Sequence, residues 1–134
     1  MKTRKYKHGL SLVETLIVIA VIALLTTMVI SVASRIDNQS KEQKVESTFV
    51  MLEGALQEYK EFYGDFPGSI GELYSVPDCR KVLDKIGYSQ GAINDPWGRP
   101  LRYSYAPGDN FPELISAGPD RKYDTPDDIT NRKK

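Results

Sequence analysis

The apolar stretch from Leu10 to Ser34 constrains this chain more than any other feature of its sequence. Glu14 is the only charged residue within it. At about 1.5 Å rise per residue, a helix of this length crosses a hydrocarbon core about 30 Å thick. A buried core helix this long and this apolar on every side would need a larger protein around it. We therefore predict a membrane-spanning helix.

The residues ahead of this stretch predict its orientation. Positive charge is concentrated before residue 9, at Lys2, Arg4, Lys5 and Lys7. Because basic flanks stay on the cytoplasmic side, the N-terminus is predicted to be cytoplasmic and residues 35–134 to lie in the periplasm of a Gram-negative cell. The whole chain is neutral, with 18 basic and 18 acidic residues, so its charge does not indicate a nucleic-acid partner.

The helical pattern continues beyond the apolar stretch. No proline occurs between Arg35 and Tyr63, and apolar residues recur at spacings of three and four, which predicts one buried helix face. The predicted stripe is Val45, Phe49, Leu52, Leu56, Tyr59 and Tyr63. We expect a single helix that ends near Gly64, with Pro67 just beyond it.

The remaining residues predict a small C-terminal domain. A short helix is expected at 78–86, closed by Gly87, and residues 95–98 (DPWG) form a turn signature. Alternation at 101–105 predicts a strand, with 111–117 as its antiparallel partner. The fold class is therefore α+β, with a long N-terminal helix packed on a small antiparallel sheet.

The chemistry-bearing residues give no indication of catalysis. His8 is the only histidine and Cys79 the only cysteine, so neither a histidine metal site nor an intramolecular disulfide is available. We find no Ser/His/Asp set and no phosphate-cradling glycine loop. Trp97 is best explained as a core residue, and Tyr103 and Tyr105 as residues of a half-buried strand. The chain is not expected to be an enzyme.

Residues 7–14 (KHGLSLVE) indicate proteolytic processing. An ordinary secretory signal is cut after its apolar region, whereas the candidate cut here lies before it, after Gly9. The mature chain would begin at Leu10 with a free amine, and Glu14 would be its fifth residue. A carboxylate in the bilayer costs roughly 2.5–3.5 kcal/mol, so Glu14 should face a partner. The amine of Leu10, its own or a neighbour's, is one candidate, and an interfacial Glu14 that simply reaches water is the alternative.

A C-terminal loop concentrates acidic residues. The carboxylates are Asp120, Asp124, Asp127 and Asp128, and Gly118, Pro119 and Pro126 bend the chain between them. Hard oxygen ligands on a tight loop suit Ca²⁺, although the spacing is not that of an EF-hand. From chemistry alone, a calcium site and a solvated acidic loop both remain open.

The N-terminal pattern resembles the prepilin signal of type IV pilins and type II secretion pseudopilins. In those families a membrane peptidase cuts after the glycine and methylates the new N-terminus, which implies cleavage after Gly9 and methylation of Leu10. The usual first mature residue is Phe rather than Leu. Helix-breaking Gly and Pro positions of the family fall on Ala23 and Ser31 here, so we expect a more regular helix.

The C-terminal half resembles the major (G-type) pseudopilin of type II secretion. The resemblance rests on residues 95–98 (DPWG), 116–120 (SAGPD) and 127–129 (DDI). It implies a structural calcium ion in place of the disulfide of many type IV pilins. The implied side-chain ligands are Asp120, Asp127 and Asp128, with the carbonyls of Ala117 and Tyr123 and with Asp124 as a further candidate.

The resemblance implies a pilin-like version of this α+β fold and a structural subunit of the type II secretion pseudopilus. Its parts would be a leader (1–9), a transmembrane and assembly segment (10–34) and a periplasmic domain (35–134). The transmembrane segment would anchor the chain in the inner membrane by a single pass. The implied partners are further copies in a homo-oligomeric filament, minor pseudopilins, the prepilin peptidase and the inner-membrane secretion platform. The alternatives are a type IV pilus subunit, a minor pseudopilin, and a membrane-tethered binding module without a filament. The missing cysteine pair argues against the first, and the cut before an intact span argues against the last.

Overall fold

The structure is a computed structural model that describes residues 11–89 and 91–132. The predicted processing residues Gly9 and Leu10 lie outside these ranges. The chain divides into two compact units, one up to Asp37 and one from Asn38 onward.

The long helix α1 runs from Leu12 to Tyr63, over 52 residues. The hydroxyls of Thr26 and Ser34 donate to the carbonyls of Ile22 (2.7 Å) and Ile30 (3.1 Å), one turn earlier, which is how such side chains are satisfied within a helix. The predicted regular helix is confirmed. It ends where Gly64 adopts φ 85° and donates its N–H to the carbonyl of Lys60 at 2.7 Å, as a left-handed C-terminal cap does.

In the first unit, α1 exposes apolar side chains on every side. Its most apolar window of 18 residues has a mean hydropathy of 2.8, and 0% of that window is buried. By length and composition this helix could cross a membrane, as predicted.

In the second unit, one face of α1 lies in the core. Val45, Phe49, Leu52 and Leu56 are buried, as the spacing predicts. Tyr63 is the exception, since it is 57% exposed. It lies in the last turn, where its ring contacts the ring of Tyr59 at 4.6 Å between centroids instead of joining the core.

A pair of short helices covers part of this face. A 3₁₀ helix spans Ile70–Ser75, and α2 spans Pro77–Ile86, closed by Gly87 at φ 82°. The thiol of Cys79 donates to the carbonyl of Ala55 at 3.3 Å, so α2 lies directly against α1. The sequence predicted α2. It did not predict the 3₁₀ helix, nor that short helices as well as the sheet would pack against α1.

The sheet supplies the rest of the core. Its strands are β1 (Arg102–Ser104), β2 (Glu113–Ser116) and β3 (Ile129–Thr130), antiparallel in the order β1-β2-β3. Leu114 of β2 is fully buried with the residues of α1. The α+β fold with a long helix on a small antiparallel sheet is confirmed. The two predicted strands are shorter than expected, and β3 was missed because so short a strand shows no alternation.

Candidate functional site: the acidic loop and the N-terminal helix

A buried carboxylate anchors the start of the acidic loop. Asp95 is only 6% exposed. Its Oδ1 accepts hydrogen bonds from the backbone N–H groups of Trp97 (3.1 Å) and Arg99 (2.8 Å). Its Oδ2 accepts from the hydroxyl of Ser116 at 2.7 Å. The turn at 95–98 is thereby fixed to the end of β2, where the acidic loop (residues 117–128) begins.

Gly118 brings the two ends of the acidic loop together. It has φ 65°, and a Cβ at this position would lie 2.2 Å from the carbonyl oxygen of Asp127. Its N–H donates to the hydroxyl of Ser116 at 3.3 Å. Only glycine fits both the conformation and the approach of the opposite backbone.

The carboxylates of the loop accept hydrogen bonds from the loop itself. Asp127 accepts from the N–H of Asp120 (3.0 Å) and from the hydroxyl of Thr125 (2.6 Å). The N–H of Asp124 donates to Asp128 at 2.7 Å. The Thr125 hydroxyl, followed by the Asp120 N–H, lowers the pKa of Asp127 below its usual value. These hydrogen bonds thus favour the charged form of Asp127.

The side chain of Asp124 faces a different partner. Its carboxylate lies 3.3 Å from Nη1 of Arg102. The Arg102 guanidinium also lies over the ring of Tyr123, 4.0 Å from its centroid. The hydroxyl of Tyr123 donates to the carbonyl of Pro100. Of the candidate backbone ligands, Ala117 is completely buried.

The donor chemistry of the loop suits a hard cation, because its candidate ligands are all carboxylate or carbonyl oxygens. Within residues 11–89 and 91–132, no group of three or more His, Cys, Asp or Glu side chains is gathered closely enough to hold a metal ion. The residues fit calcium by the type of their donor atoms but are not gathered as a ligand set, and the calcium site stays a prediction.

At the other end of the chain, Glu14 lies in the first turn of α1. Its side chain is exposed among exposed apolar residues such as Leu12 and Leu16. The predicted role of Glu14 in assembly stays a prediction.

Comparison with known families matches nearly the whole chain. A family model described as "Prokaryotic N-terminal methylation motif" matches residues 4–30, and one described as "Type II secretion system (T2SS), protein G" matches residues 32–132. The chain belongs to the type II secretion system protein G family.

Curated relatives agree with this assignment. Each of three is named "Type II secretion system core protein G". The protein from Escherichia coli strain K12 is 32% identical, over 98% of this chain and 94% of the relative. The protein from Klebsiella pneumoniae is 30% identical over 93% of this chain and 94% of the relative. The protein from Aeromonas hydrophila is 28% identical over 96% of this chain and 94% of the relative. No solved structure matches significantly. The predicted resemblance to the major pseudopilin, a structural subunit of the pseudopilus, is confirmed.

Sequence reasoning missed several residues that shape the loop. Arg102 and Thr125 were not singled out, and Gly118 was recognised only as a bend. Nothing in the linear sequence pairs Arg102 with Asp124, because the two residues meet only when the loop folds back beside β1. Gly118 could have been recognised from the GP pair at 118–119, which is typical of a turn that needs a left-handed residue.

Proposed function

We propose that this chain is the major subunit of a type II secretion pseudopilus that assembles through α1 into a periplasmic filament and drives protein export. The observation that carries the proposal is α1 itself. One uninterrupted helix begins at Leu12 with an apolar stretch that has no buried residue in its most apolar window, and it continues into the core of a folded domain. A soluble protein would not leave such a surface uncovered.

The exposed first unit has two successive environments in this proposal. In the inner membrane it spans the bilayer, with the N-terminus cytoplasmic and the domain periplasmic. In the filament its side chains pack against α1 helices of other copies. Because lipid tails are as apolar as leucine, packing and polar contacts, more than the hydrophobic effect, must favour the second environment.

Glu14 is the polar contact that selects a register. After cleavage behind Gly9, the new amine at Leu10 of a neighbouring copy offers the positive partner that a carboxylate needs in an apolar environment. A pair between two copies sets the axial offset between their helices. The prepilin peptidase performs the cleavage and methylates Leu10, and the inner-membrane platform and minor pseudopilins are the remaining partners of assembly.

The role is structural and not catalytic. Burial raises the pKa of the Cys79 thiol, so this side chain stays protonated and unreactive. Its hydrogen bond to the Ala55 carbonyl serves the packing of α2 on α1.

A calcium ion completes the periplasmic domain in this proposal. The side chains of Asp120, Asp127 and Asp128, with the carbonyls of Ala117 and Tyr123, would hold it. The supporting observations are the oxygen-only donor set and the close approach of the Gly118 and Asp127 backbones, which lie at opposite ends of the loop. Calcium would neutralise the carboxylates and stabilise a loop that has no disulfide.

Glu14→Ala tests the assembly proposal. The full-length chain would be produced with its secretion machinery, and filaments sheared from cells would be quantified. We expect Glu14→Ala to remove at least nine tenths of the filaments, about the tenfold effect of a 1.4 kcal/mol contact. Glu42→Ala, an exposed glutamate of the same helix, serves as the matched control and should leave filaments unchanged. Equal filament yields from both variants would contradict the role of Glu14.

A further inference from the structure

The half of α1 that packs in the second unit has another face, opposite the core. Its residues recur at spacings of four and three, and each precedes a residue of the packed stripe by two positions. Residues two apart point to opposite sides of a helix with 3.6 residues per turn. All five are exposed, and we call them the outer face of α1: Gln43, Ser47, Val50, Gly54 and Gln57.

The outer face carries no charge, although the helix around it does. The charged residues of this stretch lie on its flanks, at Lys44, Glu46 and Glu53, or beyond its end, at Glu58 and Glu61. At its middle, Val50 is 67% exposed. A helix face that meets only water usually carries charged residues. Their confinement to the flanks indicates that the outer face becomes covered by an uncharged partner.

Gly54 is the residue of this face that its own chain does not explain. Glycine is a poor helix former, so an exposed helix interior normally has a better residue. The φ of Gly54 is not positive, and a Cβ there would meet no described atom within 4 Å. Neither backbone conformation nor crowding within one copy therefore requires glycine. A second helix that approaches closely would require it, because small residues let two helix backbones come together.

The first unit of α1 has the complementary surface. Its most apolar window has a mean hydropathy of 2.8 and no buried residue, so it needs partners over its whole circumference. In a filament of copies offset along one axis, the domain of one copy lies beside the first units of copies further from the membrane. An uncharged face fits such a neighbour, because a charged group there would lose its hydration without gaining a partner.

We propose that the outer face of α1 is the docking surface for the first unit of α1 from another copy, with Gly54 at the closest approach of the two helices. The proposal rests on the proposed filament and names the surface that covers the first unit there. It also gives Gly54 a role that opposes its effect on a single copy: it weakens the isolated helix and permits assembly.

Substitution of Gly54 by a larger helix former tests the close approach. Gly54→Leu should lower the yield of filaments sheared from cells about tenfold or more, because the added side chain keeps the two backbones apart. Glu42→Leu places the same side chain at an exposed position of α1 outside this face and should change the yield by less than about twofold. Equal yields from the two variants would overturn the proposal.

Thermal unfolding of the unassembled full-length chain in detergent separates an assembly defect from a folding defect. Leucine is the better helix former and has open space at this position, so Gly54→Leu should keep or raise the midpoint. A variant that is at least as stable alone but poorly assembled is the result expected of a contact between copies. A lower midpoint would overturn the assignment of Gly54 to a face that is open in the single copy.

Photo-crosslinking identifies what covers the face. A photoreactive amino acid in place of Val50 should, in intact filaments, form cross-links to residues 12–36 of another copy, mapped by mass spectrometry. The same chain kept unassembled in detergent is the control and should give no cross-links between copies. Cross-links only to residues 38–132 of another copy, or none between copies in filaments, would overturn the proposal.

These experiments also distinguish this inference from the proposed function. If the unaltered chain forms no filaments, the proposed function fails and the docking surface fails with it. If Glu14→Ala abolishes filaments while Gly54→Leu leaves their yield unchanged, the filament stands and the outer face is not its packing surface.

Discussion

The packed face of α1 and the acidic loop are stabilised in opposite ways. On α1, Leu52 and Leu56 are completely buried and contribute through apolar area removed from water. In the loop, Asp120, Asp127 and Asp128 contribute through hydrogen bonds to backbone groups only a few residues away. The comparison shows that the helix depends on side-chain volume, whereas the loop depends on backbone conformation.

The largest effect is expected on the packed face. Leu52→Ala should lower the free energy of unfolding by about 2–5 kcal/mol, because it removes buried methyl groups and leaves a cavity. Thermal unfolding of the full-length chain in detergent would measure it. Val50→Ala is the matched control on the same helix: Val50 is 67% exposed, so its truncation should change stability by less than about 0.5 kcal/mol. Similar losses from both would contradict the burial of this face.

In the loop, a single methyl group should be almost as damaging. Gly118→Ala places a Cβ 2.2 Å from the Asp127 carbonyl oxygen at a positive φ, so we expect a loss of about 1–3 kcal/mol and faster exchange of the loop amides. Gly108→Ala is the control, because Gly108 also has a positive φ (103°) but open space around its Cβ position. If both substitutions lower the free energy of unfolding by the same amount, the close approach of Asp127 does not contribute to the loss.

The same substitution should have the opposite sign on α1. Gly54 lies within the helix, and a Cβ there meets no atom within 4 Å. Gly54→Ala should therefore stabilise the chain by about 0.5–1 kcal/mol, since alanine has the better helix propensity. Thermal unfolding of the unassembled chain would show a higher midpoint, and a lower midpoint would contradict the helical environment assigned to residue 54.

The smallest effect concerns a carboxylate outside both regions. The hydroxyl of Tyr105 and then the N–H of Phe66 donate to Asp65 and lower the pKa of that carboxyl. A lowered folded-state pKa contributes stability above the unfolded value of about 3.9, and this is lost as the pH falls through the folded value. Tyr105→Phe should raise the pKa of Asp65 and shrink the stability difference between neutral and acidic pH. Carboxyl titration by NMR would detect it, and an unchanged titration of Asp65 would contradict the cause assigned.

The contrast also explains what could be predicted from the sequence. Helical spacing identified Val45, Phe49, Leu52 and Leu56, because burial on a helix leaves a period in the sequence. It failed at Tyr63, where the helix continues past the residues that cover it. The loop was recognised by its acidic residues, but its hydrogen bonds to backbone N–H groups leave no residue-type signal. The pairing of Arg102 with Asp124 depends on the fold and could not be predicted.

The most direct test of the central claim is electron cryomicroscopy of filaments sheared from cells that produce the full-length chain. The account predicts a filament in which the α1 helices lie at the centre and Glu14 of one copy lies within hydrogen-bond distance of the processed N-terminus of another. A chain that stays a membrane-held monomer, or a filament whose α1 helices lie outside its centre, would contradict it.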